Sequence, residues 1–175
     1  MVEFQLDETM EVLRNTPAAL SSLLDGLSQR WTECDEGPDT WTAFDVVGHL
    51  IHGEQTDWIQ RLEMILEQGE WRTFTPFDRF AQFERSKGKT LEELLESFAS
   101  LREQNLRTLA ALNLKPEHLD RRGTHPHFGS VTARQLLATW AVHDLGHIAQ
   151  IARVMAKRYR EDVGPWREYL RIVAD

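Results

Sequence analysis

The chain is poor in the residues that staple or break a fold. It has one cysteine, Cys34, in 175 residues, so no intrachain disulfide is available and a reducing compartment is the expected setting. Only 6 prolines and 10 glycines are present, and no low-complexity tract, repeat or linker interrupts the pattern. No run approaches the roughly 18 apolar residues of a spanning helix, which argues against a membrane protein. The opening Met1-Val2-Glu3-Phe4-Gln5 lacks the basic start and apolar core of a signal peptide, so the expected location is the cytoplasm. Positive charge is also scarce. The net charge is -8 and the basic residues are dispersed, which excludes nonspecific attraction to nucleic acid phosphates. The densest basic stretch, Lys157-Arg158-Tyr159-Arg160, reads as the solvated end of a helix.

What is present is helical periodicity. A share of 41% apolar and 27% charged residues suits a single domain with its own core. A first helix is expected over 6–27, kinked or broken at Pro17. Thr42-Ala43-Phe44-Asp45 resembles a capping box and predicts a long helix from there to about Gln68, ended by Gly69. The aromatic stretch 71–88 reads as a loop with a short helical turn. Thr90-Leu91-Glu92-Glu93 is a second capping box, and Leu91, Leu94, Leu95, Phe98, Leu101, Leu106 and Leu109 draw an apolar stripe behind it. A polar loop is expected over 121–129. Thr132 to Gln135 then opens the last long helix, to about Tyr159. A short terminal helix beginning at Gly164-Pro165-Trp166 is expected to pack its Trp and Leu170 on the bundle. No strand signal emerges, and the expected class is all-α, a four-helix bundle.

The most informative feature is His143-Asp144-Leu145-Gly146-His147. Residues four apart share a helix face, so both imidazoles can address one ion. The stripe of Leu136, Trp140, Ile148, Ile151 and Val154 places the pair at the flank of the buried face. Two histidines at a core edge need polar partners, and a metal satisfies both together. The plainer reading is two separate half-buried histidines, each bonded to a neighbouring helix. A third ligand has several candidates: His49, His52, His118, His125, His127 and the carboxylates. Wheel geometry does not select His49, which lies well off its helix's apolar stripe, and His52 is slightly less eccentric. Asp144 and Glu54 fall within apolar stripes, where an acid must be paired. Asp144 is expected to orient a histidine or, more simply, to form a structural ion pair. Gln150, three residues after His147, is a further candidate neighbour of the site. His125 and His127 read as surface residues, Cys34 as inert, and Trp58 and Trp140 as interior.

Two stretches carry a resemblance. Trp41-Thr42-Ala43-Phe44-Asp45-Val46-Val47-Gly48-His49-Leu50 looks like the start of the second helix in the DinB-like, YfiT-related superfamily. Thr139-Trp140-Ala141-Val142-His143-Asp144-Leu145-Gly146-His147-Ile148-Ala149-Gln150-Ile151 resembles its last core helix, with the H-x-x-x-H-I-A-Q signature complete. The resemblance implies a four-helix bundle, often dimeric, with His49, His143 and His147 on one divalent metal (zinc, nickel or iron). At Glu54 some relatives carry another polar or ligand-capable residue. It further implies hydrolysis or S-transfer on an unknown small molecule, with a low-molecular-weight thiol as a possible second cofactor. The alternative from a different class is a non-catalytic homodimeric bundle that binds a ligand or partner, its histidines structural.

Overall fold

The structure is a computed structural model that describes residues 3–174. Its frame is a bundle of four long helical units. These are α1 (Leu6–Leu24), the pair α3 (Ala43–Thr56) and α4 (Trp58–Gln68), α6 (Leu91–Ala111) and α8 (Ala133–Lys157). Shorter helices α2 (Gln29–Thr32), α5 (Ala81–Ser86) and α7 (Pro116–Leu119) lie in the connections. The helix starts follow their caps. Thr42, Thr90 and Thr132 each accept from the backbone N–H three residues on, and the side chains of Asp45, Glu93 and Gln135 bond back to the cap N–H. Gly69 ends α4 with a φ of 60°, a conformation open to glycine.

Pro17 does not break α1, which runs through it. Proline frees the carbonyl four residues earlier, here that of Leu13. The Arg102 guanidinium donates to that oxygen at 2.7 Å, so the freed group is satisfied from another helix. The long second helix, by contrast, is two helices. Asp57 leaves helical geometry (φ -122°, ψ -70°), and Trp58 beyond it lies against Gly53, where a Cβ would stand 3.1 Å from the indole nitrogen. The break sets Trp58 parallel to Trp140, with centroids 5.7 Å apart.

The expected polar loop is instead an antiparallel hairpin, β1 (Arg122–His125) and β2 (Gly129–Thr132), in register from Arg122–Thr132 to His125–Gly129. Gly123 permits it, since a Cβ there would meet Ile65 at 2.7 Å and Phe74 at 3.0 Å. The terminal segment Gly164–Tyr169 is a 3₁₀ helix, and its Trp166 is 69% exposed. Val173, not Trp166 or Leu170, is the residue buried there.

Two apolar clusters fill the bundle. One joins Leu13, Trp58, Leu62, Leu109, Leu137 and Trp140. The other joins Leu20, Val47, Leu50, Leu94, Phe98 and Ile151. On each helical unit the passage from one cluster to the other carries polar groups: Thr16, then His49, His52 and Glu54, then Arg102 and Asp144. The bundle therefore has a polar middle layer between two apolar ends. Among the described residues, no helix is long and apolar enough to cross a membrane.

Candidate metal centre

The polar layer has two parts, one ionic and one imidazole. In the ionic part Arg102, 1% exposed, binds Asp144 through both terminal nitrogens at 2.6 and 3.0 Å and Glu54 at 2.9 Å. Glu54 also accepts from Trp140 Nε1 at 2.9 Å and from Asn105 Nδ2 at 3.0 Å. The two carboxyl groups share one guanidinium, and Trp140 and Asn105 supply further donors to Glu54. Asp144 and Glu54 thus spend their oxygens on Arg102, Trp140 and Asn105, and neither bonds to an imidazole. Arg102 was open to discovery in the sequence: it stands four residues from both Phe98 and Leu106 on the α6 stripe, where a lone charge requires a partner.

In the imidazole part, α3 supplies His49 and one face of α8 supplies His143 and His147. The Nε2 of His143 lies 3.1 Å from the Nε2 of His49 and 3.1 Å from the Nε2 of His147. One ligating atom from each ring falls within 4.8 Å of the others. His49 is 7% exposed and the other two are half-buried. His52, although buried, packs on Phe77 and stands outside this group. His125 turns into the hairpin, where its Nδ1 accepts from the backbone N–H of His127 and Phe128. His118 accepts from Lys115 N on α7.

Hydrogen bonding alone leaves this cluster short of protons in the right places. Gln150 Oε1 accepts from His147 Nδ1–H at 2.8 Å, so the His147 proton is on Nδ1 and its Nε2 presents a lone pair. A neutral His143 has one N–H to share between two neighbouring Nε2 atoms. The Nδ1 atoms of His49 and His143 are buried with no hydrogen-bond partner among the described residues. Burial, then the neighbouring His147, push both His49 and His143 down to about 3, so their rings are neutral at physiological pH. Neutral rings with converging lone pairs are the form that ligates a cation. Nitrogens about 2.0–2.1 Å from one ion, at angles between about 90° and 110°, stand about 2.9–3.4 Å apart. The two 3.1 Å separations from His143 fall in that range and the three ligand atoms lie within 4.8 Å of one another, so a modest closing of the His49 and His147 rings fits the residues to a divalent ion.

Aromatic rings wall the cluster. Trp41 lies 4.9 Å and Phe77 5.4 Å from the His49 ring, and Trp58 lies 5.1 Å from His143. The imidazoles open into a cavity of about 470 Å³, whose rim includes Glu36, Asp39, Arg79 and Arg153. Glu36 is occupied: Arg153 binds it at 2.9 and 2.7 Å and Lys157 at 2.8 Å. Hydrogen bonding from Arg153 holds the Glu36 carboxyl well below the usual range, at about 2. Cys34 does not line this cavity; its thiol is turned to the Trp31 carbonyl and raised in pKa chiefly by burial. Trp41, Phe77, Trp58 and Arg79 join the site beyond the residues expected from sequence. Trp41 precedes the α3 cap directly, but the loop that brings Phe77 and Arg79 has no helical period to place it.

A four-helix bundle with three facing imidazoles in its polar layer defines a helical class with a candidate metal centre. The chain belongs to the DinB superfamily, whose family model matches residues 13–151. Among solved structures it is similar to YfiT from Bacillus subtilis, described as a probable metal-dependent hydrolase with an unusual four-helix bundle topology. That likeness has a TM-score of 0.76 at 23% identity and covers 90% of this chain and 89% of the other. Comparison with curated proteins gave no match.

Proposed function

We propose that His49, His143 and His147 hold one divalent metal ion and that the chain is a hydrolase or S-transferase acting at that ion. The observation that carries this reading is the convergence of three imidazoles on one cavity, with His143 Nε2 standing 3.1 Å from the Nε2 of each of the other two and all three ligand atoms within 4.8 Å of one another. The probable activity given for YfiT favours hydrolysis of the two. Three imidazoles suit zinc, nickel or iron. Such an ion supplies Lewis acidity, lowering the pKa of a bound water or thiol toward neutrality. The protein supplies the rest. Gln150 fixes the His147 tautomer, Trp41, Phe77 and Trp58 shield the rings from bulk water, and the cavity admits a small molecule.

The test compares zinc- and nickel-loaded protein with the chelated form on a panel of activated esters, and on an activated electrophile with cysteine as the thiol. Turnover that appears on metal loading and disappears in His143→Gln supports the reading. The ester arm alone indicates hydrolysis, and the thiol arm alone indicates S-transfer with a low-molecular-weight thiol as co-reactant. Equal turnover with and without metal, and in His143→Gln, contradicts both and favours a non-catalytic bundle. A homodimer and a cytoplasmic location complete the proposal and are checked by sedimentation and by fractionation.

A further inference from the structure

Beside the imidazoles, the loop between α4 and α5 places one cation with no acidic partner. Phe77 anchors this loop, packing on His49 at 5.4 Å and His52 at 4.8 Å. Asp78 Oδ1 accepts from Phe80 N at 3.0 Å and tightens the turn. Arg79, between them, reaches the cavity wall. Its guanidinium lies over the Trp41 ring at 5.3 Å, and Trp41 in turn lies on His49. A second ring, Phe80, is 5.7 Å away. The cation thus lies against two aromatic rings, and no carboxylate among the described residues pairs with its N–H groups. Stacking of this kind orients a guanidinium while leaving its planar donor fork available.

The other cation of the wall is differently placed. Arg153 spends its fork on Glu36, which Lys157 also neutralises. Asp39 is the remaining acid of the lining, and it forms no ion pair with Arg79. One cavity is therefore lined both by the three imidazoles and by an aromatic-backed guanidinium that has no acidic partner among the described residues. Extending the metal reading above, on which it rests, we infer that the substrate is a small oxyanion-bearing molecule. Its reacting end meets the Nε2 cluster, and its carboxylate or phosphate group takes the Arg79 fork. A bidentate, charge-assisted pair of this kind fixes orientation as well as contributing affinity.

Cobalt-loaded protein tests this without a known substrate. Hydroxamates perturb the visible spectrum of bound cobalt and so report their own binding. Acetohydroxamate is the neutral-tailed probe. The charged probes are a series of hydroxamates whose chains end in a carboxylate or a phosphonate at increasing length. At least one charged probe is expected to bind about tenfold tighter than acetohydroxamate at low salt. The preferred end group distinguishes a carboxylate from a phosphate substrate. Arg79→Gln, an exposed position, should lose that gain, and Asp39→Asn should enlarge it. Cobalt binding without any preference for charged probes, or a preference that survives in Arg79→Gln, overturns the inference and leaves the metal reading standing. Failure of the wild-type protein to take up cobalt overturns the metal reading and this inference with it.

Discussion

At the residue scale, the histidine cluster is governed by where its protons are. Gln150 keeps the His147 proton on Nδ1. Gln150→Leu removes that acceptor, frees the tautomer and should weaken zinc or nickel binding by about tenfold or more, read by competition with a chromogenic chelator. Burial also makes the metal-free cluster sensitive to acid. Both His49 and His143 have folded pKa values depressed to about 3 from an ordinary value near 6.5. The unfolded chain therefore takes up these protons first as pH falls. Their stabilising effect is full above about pH 6.5 and is lost progressively as pH falls toward 3. Between pH 7 and 4.5 the loss is on the order of 2 kcal/mol per histidine. Urea midpoints of metal-free wild type should fall over that window more steeply than those of the double variant His49→Gln, His143→Gln. Parallel slopes would contradict the account. Only part of this cluster is legible in sequence. Spacing brings His143 and His147 together, because a helix has a known period. His49 is on another helix, and its wheel position is eccentric; only resemblance selects it. The structure shows why the wheel misleads: His49 faces α8 across the polar layer, not the centre of an apolar cluster.

At the element scale, helix boundaries follow side chains that reach across the bundle. Two capping boxes and the opening at Thr132 are visible in sequence, and all three start their helices, the third also as a capping box. Continuation through Pro17 is not visible, because the group that rescues Leu13 O is Arg102, 89 residues away. An interior proline usually costs about 3 kcal/mol. With its freed carbonyl already satisfied, Pro17→Ala should raise stability by well under that amount, about 1 kcal/mol or less by chemical denaturation. A gain of about 3 kcal/mol would show that Arg102 does not compensate. The hairpin escapes sequence reading for a different reason. Its strands are four residues each, too short to alternate convincingly, and Pro126 sits in the turn. Its support is tertiary, through the close approach of Gly123 to Ile65 and Phe74 and the bond from Phe74 N to Thr124 O at 2.9 Å.

At the scale of the whole molecule, the bundle joins two apolar clusters through a charged middle. Arg102 ties α1, α3, α6 and α8 together through Leu13 O, Glu54 and Asp144. Arg102→Met keeps the length of the side chain but leaves two buried carboxylates without their cation. It should cost about 3–5 kcal/mol in thermal or urea unfolding, and a loss below about 1 kcal/mol would mean the layer is not structural. The expectation that Asp144 is an ion-paired acid follows from its place on the stripe alone. That its partner is Arg102, and that Glu54 shares it, depends on the packing of three helices. Directly beside this ionic layer lies the histidine cluster, the proposed seat of one divalent ion. Metal content settles whether it is, read by elemental mass spectrometry on protein purified without a histidine tag and loaded with zinc or nickel. About one equivalent is expected for wild type, with near-complete loss in His49→Ala, the position that spacing alone does not select. Wild-type content below about a tenth of an equivalent, or full content in His49→Ala, would contradict it.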